Sequence, residues 1–132
     1  RIYRLLHEAL TTNKIIFPGD GKEEREYVHA RDAAKLSVDI LSDKYSGERV
    51  ILTGIEKMSY TGLLDFIKEI MGGKITTEYL HNNYKGHYAL TPYSFSPTTG
   101  VKLVNNPSVD FGQGILECLE KIYHDIDSNS KV

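Results

Sequence analysis

Gly19-Asp20-Gly21-Lys22-Glu23-Glu24-Arg25-Glu26-Tyr27-Val28-His29-Ala30-Arg31-Asp32-Ala33-Ala34 is the stretch that decides how this chain folds. Two glycines one residue apart make a tight turn. An arginine then sits on a short β-prone run, Arg25 to His29. Asp32 and the small residues after it open a helix, with the carboxylate placed to accept the first free amide hydrogens as an N-cap. Just upstream, Ile15-Ile16-Phe17 is an apolar run closed by Pro18-Gly19, which reads as a buried strand stub followed by a turn.

Working outward, Ile2, Leu5, Leu6 and Ala9 recur at helical spacing, so residues 2–11 read as a short helix. After Asp32, the positions Ala33, Leu36, Ile40 and Leu41 form one apolar face, and Tyr45-Ser46-Gly47 ends that helix. Val50-Ile51-Leu52-Thr53 is a β-branched-rich run without alternation, the pattern of a parallel strand covered on both faces. Ser59 is placed to cap a helix whose face is Leu63, Leu64, Ile67, Ile70 and Met71, and Gly72-Gly73 stops it. Ile75 to Leu80 alternates as a strand does. Residues 81–110 read as irregular. Asp110 is placed to cap a closing helix carrying Phe111, Ile115, Leu116, Leu119, Ile122, Tyr123 and Ile126. The whole is α/β, with short strands and three to four helices. It divides into residues 1–126 and a frayed tail, 127–132. The strands scarcely amount to a sheet, and Val50 to Thr53 wants neighbours the chain does not obviously supply.

Composition narrows the function. The chain has 132 residues, 40% apolar and 26% charged, which fits one ordinary globular domain or a piece of one. Its formal charge is -2 with no basic stripe, so a nucleic-acid partner is not expected. No apolar run is long enough to span a bilayer, and the Arg1 end lacks the apolar core of a signal peptide. A start without Met points to a processed or cut chain. The lone cysteine, Cys118, excludes an internal disulfide and points to a cytoplasmic setting. Nine Tyr and no Trp favour surfaces where an apolar wall meets a polar ligand or an interface.

The string from Ile15 to Ala34 resembles the C-terminal region of extended short-chain dehydrogenases/reductases, the NAD-dependent nucleotide-sugar epimerases and dehydratases. The matching parts are the strand Ile15-Ile16-Phe17, the turn Gly19-Asp20-Gly21, the segment Arg25-Glu26-Tyr27-Val28-His29, and Asp32. The later order agrees as well: a strand ending at Gly54, a helix opened by Ser59, and a closing helix after Phe111. Residues Tyr88 to Pro97 and Asp110 to Ile115 look like a surface-polysaccharide branch of the superfamily. One departure is plain. Most relatives carry an Arg-x-Gly-Asp type segment in the loop that grips the second phosphate, and here the loop is His81-Asn82-Asn83-Tyr84-Lys85-Gly86.

The resemblance implies the substrate-binding part of a two-part enzyme. The other part would hold NAD on a Gly-rich Rossmann turn and carry a Tyr-x-x-x-Lys pair. This chain has no Gly-x-Gly-x-x-Gly, and none of its Tyr is followed by Lys four residues later. It therefore carries no catalytic or cofactor-binding residues of its own and is expected to be inactive alone, with the Rossmann core missing. Its expected ligand is a nucleotide-diphosphate sugar, and its expected partners are the Rossmann part and further copies of itself. Arg25 is the leading site residue, because a guanidinium fork matches paired phosphate oxygens; a surface pairing with Glu23 or Glu24 is the alternative. By resemblance, Phe17 and the backbone at Ile15 flank the base, although both also fit a core strand. Lys85, Tyr88 and Tyr93 are within reach of substrate from the irregular loop, although an ordinary surface loop is the favoured reading of all three. His29 reads as a packed, hydrogen-bonded residue, and Cys118 as a small core residue. No metal site is expected: His7-Glu8 lacks its second His, and His81 and His87 lack partners at ligand spacing. A stand-alone α/β binding or assembly module that keeps this fold without catalysis fits the same residues, as does a nucleotide-sugar reductase.

Overall fold

The computed structural model describes residues 2–80 and 100–129. Helix α1, Ile2–Thr12, buries Leu5, Leu6 and Ala9. Asn13, in the left-handed region at φ 52°, closes it and turns the chain into strand β1, Lys14–Pro18. Strand β2 is Glu24–Tyr27 and helix α2 is Ala30–Asp39. A 3-10 turn over Asp43–Tyr45 leads to strand β3, Val50–Leu52. Strand β4, Glu56–Ser59, runs directly into helix α3, Tyr60–Ile70. Strand β5 is Thr76–Leu80, strand β6 is Val101–Leu103, and helix α4 is Phe111–Asn129.

The strands form three separate pairs. β1 and β5 are parallel, with Ile15 opposite Thr77 and Phe17 opposite Tyr79. β2 and β4 are antiparallel, with Arg25 opposite Met58. β3 and β6 are parallel, with Ile51 opposite Lys102. One core gathers Leu5, Leu6, Ala9, Ile15, Phe17, Tyr60, Leu63, Leu64, Ile67, Ile75, Ile115 and Ile122, so α1, α3 and α4 close over the β1–β5 pair. Burial of this kind drives the fold.

The helix starts and stops follow the local chemistry. The Ser59 hydroxyl accepts from the Gly62 amide at 3.1 Å, and Gly72 and Gly73 carry the positive φ that ends α3. The Asp110 carboxylate accepts from the Gln113 amide at 2.9 Å, as expected of a cap for α4.

Several expectations are corrected. α2 begins at Ala30, and its cap is His29, whose Nδ1 accepts from the Arg31 amide at 3.3 Å. Asp32 therefore lies inside the first turn. Its carboxylate turns inward and accepts from the Ser108 amide, at 3.0 and 3.1 Å, and from the Ser108 hydroxyl at 2.5 Å. A fully buried carboxylate needs such partners, and this need outweighs capping. Leu41, Leu116 and Tyr123 are exposed rather than on buried faces. The run at Val50 is only half-buried and does find a neighbour, because β6 forms inside the stretch read as irregular. β4, with the polar sequence Glu-Lys-Met-Ser, was not expected at all.

Candidate functional site

Strand alternation separates the side chains of β2 into two sets. On one side, Glu24 and Glu26 each find a cation. Lys57 Nζ lies 2.8 Å from Glu24 Oε2. Glu26 is nearly enclosed, with Lys102 Nζ 2.6 Å from Oε1 and the Thr53 hydroxyl donating to Oε2 at 2.6 Å. Burial pushes the Glu26 carboxyl up, but the hydrogen bonds from Lys102 and Thr53 and the charges of Lys102 and Lys57 outweigh it and hold it below the ordinary glutamate range. This cluster ties β2 to β6 and to the end of β3.

Arg25 is on the other side and is half-buried. Its Nη1 donates to the Glu24 carbonyl at 2.7 Å, and its guanidinium carbon sits 5.8 Å from the centre of the Tyr60 ring. No carboxylate among the described residues lies within ion-pair distance of it. The expected alternative, a pairing with Glu23 or Glu24, does not occur: neither carboxylate lies within ion-pair distance of Arg25, and that of Glu24 is taken by Lys57. A guanidinium has five N–H donors in a planar fork, and one backbone carbonyl leaves most of them available for an anion.

The glycine turn packs beneath this arginine. Gly21 takes φ 72°, and a Cβ there would come within 2.7 Å of Thr61 Oγ1 and 2.9 Å of Tyr79. The Gly21 carbonyl accepts from the Thr61 amide at 2.9 Å and the Glu23 carbonyl from the Tyr60 amide at 3.1 Å. With Gly62 bonded to Ser59, the first amides of α3 are all spent inside the protein. The helix end therefore offers little to an anion. The same turn leads from strand to strand, not from strand to helix as a dinucleotide-binding turn must, so these residues do not fit NAD.

Ile15 and Phe17 are buried at 0% and 1% exposure. Phe17 packs on Tyr60 at 4.8 Å and edge-on to Tyr79 at 6.2 Å, so its side chain serves the core. Lys85, Tyr88 and Tyr93 lie outside the described residues. The sequence alone gives no signal for the contact of Tyr60 with Arg25, nor for Glu26, whose partners come from distant strands.

A concavity of about 350 Å³ opens beside Tyr27, with walls from Val28, His29, Ile55, Phe111 and Cys118. It is mainly apolar, and Arg25 does not line it. His29 Nε2 lies 3.8 Å and Arg31 Nη2 3.3 Å from Glu117 Oε2, joining α2 to α4. Burial pushes the Cys118 thiol up, away from the reactive thiolate. Among the described residues no group of three His, Cys, Asp or Glu side chains could hold a metal ion, and no helix is long and apolar enough to cross a membrane.

No protein-family model matches the chain, and neither does any curated protein sequence. The fold, in contrast, has a solved counterpart. It is similar to UDP-glucuronic acid 4-epimerase from Bacillus cereus, determined in complex with NAD, with a TM-score of 0.64 and 17% identity over 92% of this chain. The chain spans 39% of that epimerase's length. At this identity the likeness establishes an α/β fold shared with part of a nucleotide-sugar epimerase.

Proposed function

We propose that this chain is the substrate-binding portion of an NAD-dependent nucleotide-sugar epimerase or dehydratase, with epimerase the preferred reaction and surface-polysaccharide synthesis the preferred setting. In this reading it is the C-terminal part of the enzyme. NAD and the Tyr-x-x-x-Lys pair belong to a Rossmann part outside these residues, and the chain alone turns over no substrate. NAD, when bound to that part, takes up and returns the hydride of the sugar; what this chain contributes is grip and orientation. Arg25 holds the diphosphate, the backbone of β1 at Ile15 lies along the base, and Lys85 and Tyr93 reach the sugar end.

The observation that carries the reading is the Arg25 guanidinium, half-buried beside the glycine turn and paired with no carboxylate among the described residues, in a fold shared with part of an epimerase. A fork fixed in this way is suited to two phosphate oxygens at once. Calorimetric titration tests it. Saturable UDP binding is expected, with Arg25→Ala weakening it by at least about tenfold, as loss of a charge-assisted pair of bonds requires. NAD is expected to give no heat. UDP binding that survives Arg25→Ala unchanged, or no saturable binding at millimolar UDP, overturns the assignment.

A further inference from the structure

We propose that Tyr60 is a positioning residue for Arg25: its buried ring is the floor that aims the guanidinium fork. The inference rests on the reading of Arg25 as the diphosphate ligand.

Tyr60 is the first residue of α3 and is 5% exposed. It is held from several directions. Its amide donates to the Glu23 carbonyl at 3.1 Å, the next residue's amide is bonded to Gly21, and its ring packs against Phe17 at 4.8 Å. The ladder of β2 with β4 pairs Glu24 with Ser59. The same ladder pairs Arg25 with Met58, so Tyr60, two residues beyond Met58, is the diagonal neighbour of Arg25, and its ring lies 5.8 Å from the guanidinium. A cation over an aromatic face is attracted by the ring's electron density. The bond from Nη1 to the Glu24 carbonyl fixes one edge of the same group.

An arginine side chain has large rotamer freedom, and ordering it on binding costs affinity. Here the ordering precedes the ligand, because one contact is to a backbone carbonyl and the other to a ring packed in the core. A leucine at this position would fill much of the space but offer no ring face. A phenylalanine would keep the face.

The test is the Arg25 side-chain Nε–Hε resonance in ¹H–¹⁵N spectra, assigned by its loss in Arg25→Lys and read together with UDP affinity. The native protein should show this proton displaced upfield by the ring. Tyr60→Phe should keep the displacement and bind UDP as the native chain does. Tyr60→Leu should lose the displacement and bind UDP about 3- to 10-fold more weakly, with an otherwise well-dispersed spectrum. An Arg25 resonance at the position of an unstructured arginine in the native chain overturns the proposal without any core variant having to fold. Unchanged or tighter UDP binding by Tyr60→Leu overturns it too. A displaced, Tyr60-dependent resonance that UDP leaves unmoved upholds the positioning contact and overturns the diphosphate reading.

Discussion

Arg25 is available because its neighbours are not. Glu24 and Glu26 flank it in sequence, yet Lys57 and Lys102 take their carboxylates on the opposite face of the strand. Two acids beside an arginine look like salt-bridge partners in one dimension, and the pleat separates them in three. Glu26 also carries a pH signature. Its carboxyl is held below the ordinary value of 4.5 by Lys102 and Thr53 against the opposing effect of burial. A depressed carboxyl contributes stability that is fully present above its unfolded value and is lost as pH falls through its folded value. Thermal melts of the native chain and Glu26→Gln should therefore differ most near neutral pH and converge below pH 4.5. A gap that persists undiminished to about pH 3 would show that the cluster does not titrate in this way.

At the scale of elements, the helices were readable because their signals are local. Ser59 caps α3, Gly72 and Gly73 end it, and Leu63, Leu64 and Ile67 repeat at helical spacing on the buried side. Strands β4 and β6 were not readable. Glu56 to Ser59 has no apolar alternation and is a strand only because β2 lies beside it, while Val101 to Leu103 is held by β3 about fifty positions earlier. Asp32 was misread for the same reason: its partner, Ser108, is 76 residues away. Arg25 stands out in the sequence because the turn and strand around it form a local pattern, whereas its contact with Tyr60 requires the β2–β4 pairing. That pairing has a steric keystone. A Cβ on Gly54 would meet the Tyr27 carbonyl oxygen at 1.7 Å, a backbone atom that cannot swing aside. Gly54→Ala should destabilise the fold by about 3 kcal/mol or more, read by urea denaturation, whereas Gly47→Ser, with open space around it, should cost about 1 kcal/mol from its positive φ. Equal costs would mean that the close approach does not matter.

Among the described residues, three strand pairs are held by one helical core, and each pair has edges without a strand neighbour. Tyr3, Leu41, Ile55, Leu116 and Tyr123 stand exposed around it. Open edges and scattered apolar side chains favour association. We expect light scattering to show a mass that rises with concentration, and a monodisperse monomer at millimolar concentration would count against this.

The most direct measurement is a crystal structure of the chain with UDP. The diphosphate should lie against Arg25, with two of its oxygens about 2.7–2.9 Å from the guanidinium nitrogens and Tyr60 still beneath the fork. UDP seated elsewhere, in the apolar cavity beside Tyr27 for example, with Arg25 bonded only to the Glu24 carbonyl, would contradict the assignment of this chain as a nucleotide-sugar site.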